Sequence, residues 1–310
     1  MIAVTGASGH LGQWVIAALG AANHDLLAIA RRPVSEPTIA GVLWPRPVRV
    51  LSCDLASPNA AAVLEPALGE VEAVVHLAAH IPPDTARNDP EDADRTLAAN
   101  VHGTIALLRA VERAQRLKSF VYASTFEVYG LPRELPVAET HPTQPLGYYG
   151  ATKLAGEKYA ALFAAERRVP AASLRLPAVY GPGDTLRRAI GNFLNAAARG
   201  EPLQIHGDGA DLRELIHARD AAAAVLAAIE KRAQGAFNVS AGAVSICELA
   251  EAVARAAGGA NIVYAERSKP RQDWVLSTER ARRELGWEPR VTLEAGIGET
   301  LDWVRSRIVG

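Results

Sequence analysis

Tyr149-Gly150-Ala151-Thr152-Lys153 holds the pair of residue types in this chain with the clearest chemistry. A phenol and an ammonium four residues apart share one face of a helix. At about 5 Å and an effective dielectric near 20, their attraction is on the order of 3 kcal/mol. That brings a phenol of ordinary pKa ~10 toward ~8, where it gives and takes protons near neutrality. Tyr148 is adjacent, but its partner four residues on is Thr152. Lysine is scarce: of 33 basic residues, only Lys118, Lys153, Lys158, Lys231 and Lys269 are lysines. Upstream, Ser124 and Thr125 follow the apolar run Phe120–Ala123. A hydroxyl at the carboxyl end of a parallel strand faces the ligand crevice, so Thr125 could bond a substrate carbonyl or alkoxide beside Tyr149.

A second constellation binds rather than reacts. Thr5-Gly6-Ala7-Ser8-Gly9-His10-Leu11-Gly12 lies between an apolar strand and a helical run. Glycines at 6, 9 and 12 permit a tight turn, close approach of backbone to a pyrophosphate, and close helix–strand packing. The helix start offers unpaired N–H groups to the anion. Gly6, Ser8, Gly9, His10, Leu11 and Gly12 are therefore candidate dinucleotide contacts. The second strand ends in Ala30-Arg31-Arg32, without the acid that accepts from a ribose 2′-hydroxyl. Two guanidinium groups suit a 2′-phosphate, so NADP(H) is expected over NAD(H). Asp54-Leu55 follows the third strand, where a carboxylate could meet the adenine amino group. His76-Leu77-Ala78-Ala79 ends the fourth, and the small Leu77–Ala79 stretch lets a cofactor lie close.

The elements that must position these groups follow from pattern. Strands are expected at Ile2–Thr5, Leu26–Ala30, Val48–Leu51, Val71–Leu77, Phe120–Ala123 and Ala172–Leu176. Helical runs separate them at Gly12–Leu19, Ala60–Leu68, Ala93–Ala114 and Tyr149–Ala165. This alternation predicts an α/β fold: a doubly wound parallel-sheet Rossmann domain with helices on both faces. From Gly181 onward Pro and Gly punctuate the chain, which predicts a smaller mixed α/β C-terminal substrate lobe. Glu214–His217 and Phe237–Val239 read as strands able to return to the main sheet. The expected division is 1–180 with 213–240 for the dinucleotide domain, and 181–212 with 241–310 for the substrate lobe. The chain has 310 residues, 33 basic against 34 acidic, for a net charge of -1. That balance argues against nucleic-acid or membrane-surface partners. Cys53 and Cys247 form no framework and no CxxC pair, so no metal site is expected and a reducing, cytoplasmic setting is. The apolar N-terminus lacks a basic leader and is interrupted by Gly, His and Gln, so it reads as structure rather than signal peptide or membrane span.

Taken together, these residues resemble the extended short-chain dehydrogenase/reductase family, in its nucleotide-sugar epimerase, dehydratase and ketoreductase branch. The likeness runs in order through TGASGHLG, DL at 54–55, HLAA at 76–79, Asn100 in NVHGT, STFEVYG, YGATK and RLPAVYGPG. It continues through HGDGADLRELIHARD at 206–220 and ELGWEPRVTLEAGI near the C-terminus. The resemblance implies Thr125, Tyr149 and Lys153 as the catalytic set, with Lys153 also holding the nicotinamide ribose. It implies Asn100, Pro177 and Val179 near the cofactor. Arg213 would grip a substrate diphosphate, Arg271 and Asp273 would meet the nucleotide, and His80, Ser124, Phe126 and Glu127 are further substrate candidates. A homodimer through the two long helical runs is also implied.

Two departures bear on the reaction. Dehydratases of this branch carry Asp-Glu after the hydroxyl residue, the Asp protonating the leaving hydroxyl. This chain has Phe126-Glu127, which disfavours dehydration. Where the family often has Asn, this chain has Ala178. With Arg31-Arg32 pointing to the reducing cofactor, the expected activity is an NADPH-dependent 4-ketoreductase acting on a nucleotide-linked keto-sugar. The alternatives are an epimerase with retained NAD(P), a reductase of a small non-nucleotide carbonyl compound, and a non-catalytic NADP sensor.

Overall fold

The computed structural model describes every residue except 33, 35, 40, 45, 46, 86, 87, 186, 187, 268, 269, 309 and 310; Lys269 thus lies outside the described residues. β1 (Ile2–Thr5) leads into α1 (His10–Ala21), β2 (Leu26–Ala30), β3 (Arg49–Ser52), α2 (Ala60–Leu68) and β4 (Ala73–His76). α3 (Pro90–Thr96), a π-helical stretch (Leu97–His102) and α4 (Gly103–Val111) precede β5 (Ser119–Thr125). Next come α5 (Tyr148–Arg167), β6 (Ala171–Leu176), β7 (Ala178–Tyr180), α6 (Ala189–Ala198), β8 (Leu203–His206) and β9 (Leu212–His217). α7 (Ala218–Glu230), β10 (Gly235–Asn238), β11 (Ala243–Ser245), α8 (Ile246–Ala256), β12 (Ile262–Ala265) and α9 (Leu293–Ile308) complete the order.

Seven strands make one parallel sheet in the order β3-β2-β1-β4-β5-β6-β10. Alternate side chains leave opposite faces, and both faces are covered. Val4, Val75, Val121 and Phe237 share one apolar core with Val15 and Ile16 of α1 and Val225 of α7. Ala3, Val74 and Phe120 share another with Leu64 of α2, Leu107 of α4 and Ala160 of α5. Burial on both sides explains why the strands read as unbroken apolar runs. The strand order reverses between β1 and β4, and a crevice opens there outside the carboxyl ends. The smaller lobe has its own core, in which Phe193 of α6, Leu203 of β8, Leu249 of α8 and Leu301 of α9 meet.

Two elements differ from expectation. Of the two late strands, only β10 joins the main sheet. β9 pairs with β7 in parallel and β11 antiparallel, in a separate three-stranded sheet. Pro177, which has no N–H for a ladder, divides β6 from β7 and turns the chain toward the lobe. The long run expected at Ala93–Ala114 begins earlier, with Asp89 capping α3 through the Glu91 N–H and Pro90 in its first turn. It is then interrupted by the π-helical stretch that carries Asn100. Among the described residues no helix is long and apolar enough to cross a membrane.

Candidate active site

The crevice floor is set by a chain of uncharged polar groups. The Thr5 hydroxyl lies 2.7 Å from Nδ1 of His76 and accepts from the Leu77 and Ala78 N–H groups at 3.2 Å. His76 Nε2 lies 2.9 Å from the Thr104 hydroxyl, which donates to the Asn100 carbonyl. Thr104 therefore accepts from Nε2–H, and Thr5 donates to Nδ1. Burial pulls His76 down to about 3, with the Lys153 charge adding to the effect, so the ring is neutral near pH 7. Gly6, at φ +68°, passes so close to the next strand that a Cβ would sit 2.7 Å from the Ala78 nitrogen. A Cβ on Gly12 would collide with the Gly6 carbonyl. These glycines hold the start of α1 against the mouth of the sheet, where its first N–H groups have no partner within the helix.

That turn forms one end of a cavity of about 1150 Å³. Gly6, Ser8, Gly9, His10, Leu11, Gly12, Arg31, Arg32, Asp54, Leu55, Leu77, Ala78 and Ala79 all line it. Arg31, Arg32 and Asp54 are exposed, and Asp54 also accepts from the Ala56 N–H. The anion-binding helix start, the close-packed glycines and the small Ala78–Ala79 wall fit a dinucleotide. Asn100 departs from expectation, for it does not line the cavity. Its amide is spent on both backbone groups of His80 and on the Thr152 hydroxyl, and Thr152 in turn donates to the Tyr149 carbonyl. Asn100 thus joins the cavity wall to the first turn of α5.

Thr125, Tyr149 and Lys153 all line this cavity, and all three are buried. Thr125 Oγ1 accepts from the Glu127 N–H at 3.3 Å, capping a 3-10 turn at Phe126–Tyr129. Lys153 Nζ rests 4.2 Å from the centre of the Tyr122 ring. The electrostatics correct the spacing argument. Burial, then the Glu127 carboxylate, push the Tyr149 phenol above its ordinary range, and the cation that opposes them is Arg188. Burial draws Lys153 down to about 7, with Glu157 pulling the other way. A Coulomb estimate from spacing alone omits the desolvation cost, which dominates here.

Pro177 and Val179, expected near the cofactor, line the cavity. The substrate candidates divide. His80, Phe126, Glu127 and Arg213 line the cavity. His80 also lies 3.1 Å from Asp92 through Nε2, and Glu127 accepts from the Thr85 hydroxyl, burial raising its pKa. Phe126 meets Trp274 edge-to-face at 4.6 Å. Ser124 lines the cavity but donates to Glu157 at 2.5 Å. Arg213 donates to the Leu212 and Gln272 carbonyls and lies 3.5 Å from Asp211. Arg271 and Asp273 depart from expectation: they pair with each other at 3.0 Å and are not part of the lining. Opposite charges two residues apart satisfy each other, and the half-buried Asp273 also holds the Leu212 N–H. Arg188, Thr85 and Trp274 line the cavity without having been singled out by residue type or spacing. An arginine doublet ahead of an amphipathic run was the available sign of Arg188. Among the described residues no cluster of His, Cys, Asp or Glu could hold a metal.

The model of the NAD dependent epimerase/dehydratase family matches residues 2–240. The chain belongs to this family. A UDP-glucose 4-epimerase from Mycolicibacterium smegmatis is 33% identical over 245 residues, 76% of this chain and 77% of that protein. A dTDP-glucose 4,6-dehydratase from Streptomyces griseus is 31% identical over 314 residues, 97% of this chain and 92% of that one. Among solved structures, MoeE5 in complex with UDP-glucose and NAD superposes with a TM-score of 0.82 at 29% identity, covering 99% of both chains. Membership of this epimerase/dehydratase family makes the protein an enzyme of the oxidoreductase/epimerase type.

Proposed function

We propose that this family member is a nucleotide-sugar 4-epimerase that keeps its nicotinamide dinucleotide bound through the catalytic cycle. One observation carries the reading. A single cavity of about 1150 Å³ runs from the glycine turn past Tyr149 to Arg213, beyond the roughly 300–1,000 Å³ usual for one small ligand. It suits a dinucleotide and a sugar nucleotide lying end to end. The epimerase among the relatives supports this more than the ketoreductase expectation, and the Phe126–Trp274 contact, standing where a dehydratase keeps its acid, argues against dehydration.

In this reading the α1 start and Gly6–Gly12 hold the pyrophosphate, and Lys153 meets the nicotinamide ribose. Tyr149 Oη moves the proton of the reacting sugar hydroxyl, Thr125 orients that oxygen, and Arg213 faces the diphosphate. A bound oxidised nicotinamide would supply the hydride acceptor and a positive charge that favours the phenolate. Arg31 and Arg32 support a 2′-phosphate on the dinucleotide, and a cofactor regenerated at each turnover is not tied to the cellular redox supply. Exposed Tyr159 and Leu162 on α5 support a homodimer through the outer helices.

Incubation with UDP-glucose tests the function. Interconversion with UDP-galactose, without net change in nicotinamide absorbance, is the expected result. Stoichiometric oxidation of added NADPH by a keto-sugar nucleotide would instead support the second reading, a 4-ketoreductase, which Arg31 and Arg32 favour. For the cofactor, Arg31→Ala with Arg32→Ala should weaken NADP⁺ binding by at least about tenfold and leave NAD⁺ binding nearly unchanged, measured by calorimetric titration.

A further inference from the structure

α5 carries a third polar residue in line with Tyr149 and Lys153. Glu157 lies one further turn along, so the three occupy one helix face at four-residue intervals. Glu157 is 5% exposed and is gripped from two other elements. Arg175 of β6 donates Nε to Oε1 at 3.0 Å and Nη2 to Oε2 at 2.9 Å. Ser124, near the end of β5, donates to Oε1. Arg175 also donates to the Tyr129 hydroxyl, which donates to Asn238 of β10. The cluster joins α5 to three adjacent strands of the sheet, directly behind the crevice.

A buried ion pair is a poor way to stabilise a fold, since apolar side chains of similar volume do as well or better. We propose that Glu157 is a positioning residue of the active site, holding the Lys153 ammonium and the Thr125 end of β5 in one fixed arrangement. The inference rests on the reading of Lys153 as a member of the catalytic set. The titratable and charged groups around Lys153 and Glu157 make the dependence of the one on the other specific. His76, from β4, is neutral. Tyr122, from β5, presents its ring, and burial pushes its phenol far up. Tyr149, on the same helix, is likewise pushed up. Arg175, from β6, is engaged by Glu157 itself. Glu157 is the carboxylate that opposes the burial of Lys153, and Ser124 links the same carboxylate to the residue preceding Thr125.

The scarcity of lysine makes a direct measurement possible. With 15N-labelled lysine, the chain gives five Nζ signals, and Lys153→Arg identifies the one of interest. In the wild-type protein that signal should titrate near pH 7. In Glu157→Gln the midpoint should fall by about one pH unit or more, and Glu157→Asp should restore most of it. The alkaline limb of kcat should move down with it while KM stays within threefold. A folded Glu157→Gln protein whose Lys153 midpoint does not move overturns the proposal. Should Glu157→Gln fail to fold, Glu157→Met combined with Arg175→Met removes the pair without leaving a buried charge alone, and a smaller fall in the same direction is expected, because the Arg175 charge goes too. An unmoved midpoint there also overturns it. Because the titration needs no substrate, a protein that shows the shift yet turns over no nucleotide sugar refutes the proposed function and leaves the positioning role standing.

Discussion

At the scale of single residues, Tyr149 is the side chain whose chemistry depends most on its surroundings. Spacing predicted a phenol acidified by Lys153, whereas burial and Glu127 hold it protonated and Arg188 is the opposing cation. A protonated phenol is ready to donate, and it needs added positive charge to accept. Tyr149→Phe removes that one oxygen and leaves the glycine turn intact. Turnover should fall by about 10²–10⁴-fold, with dinucleotide affinity within threefold of wild type, read by steady-state kinetics beside calorimetric titration. Retained turnover would exclude the phenol as the proton carrier. Glu127, a substrate candidate from the sequence, shows its effect on Tyr149 only in three dimensions. Its carboxylate, raised by burial and held by Thr85, is an element of the same electrostatic field as Tyr149.

At the scale of elements, what could be read in advance was whatever is local. The glycine turn, the two-sided strands and the helix carrying Tyr149 and Lys153 each announce themselves within a dozen residues. Strand-to-strand and lobe-to-lobe relations do not. β9 reads as a strand from its sequence, but its pairing with β7 depends on where Pro177 sends the chain. Arg188 reaches the cavity of Tyr149 only through the placement of α6 at the lobe junction. Trp274 directly follows Asp273, which attracts notice for its charge, yet it is this apolar neighbour that lines the cavity. The turn between β1 and α1 offers the sharpest test at this scale. Gly12→Ala puts a methyl group into the Gly6 carbonyl, so α1 must lift away from the sheet. Overpacking of this kind costs about 1–3 kcal/mol, and dinucleotide binding should be lost. A Gly12→Ala protein with unchanged thermal midpoint and unchanged binding would show that the helix start does not need this close approach.

For the whole molecule, buried histidines tie stability to pH. His76 is held down to about 3 by burial inside the main sheet. His217 is held down to about 4, again by burial, between the rings of Trp14 and Tyr180 at the junction of the two lobes. Unfolded, each takes a proton near 6.5, so below that pH the unfolded chain binds more protons and stability is lost as the pH falls. The loss reaches about 1.4 kcal/mol per pH unit for each ring. The urea midpoint should therefore drop between pH 7 and pH 5, and a flat midpoint across that window would mean that neither ring stays neutral. The strand order carries a different implication, for the chain as it is made. The outer edge of β6 is closed only by β10, which is synthesised after the excursion that builds β7, α6, β8, β9 and α7. A nascent or truncated chain ending before Gly235 exposes a row of unpaired backbone groups beside an apolar surface, and such edges recruit other strands. Fragments cut just upstream of that point should aggregate where fragments extending past Asn238 remain dispersed.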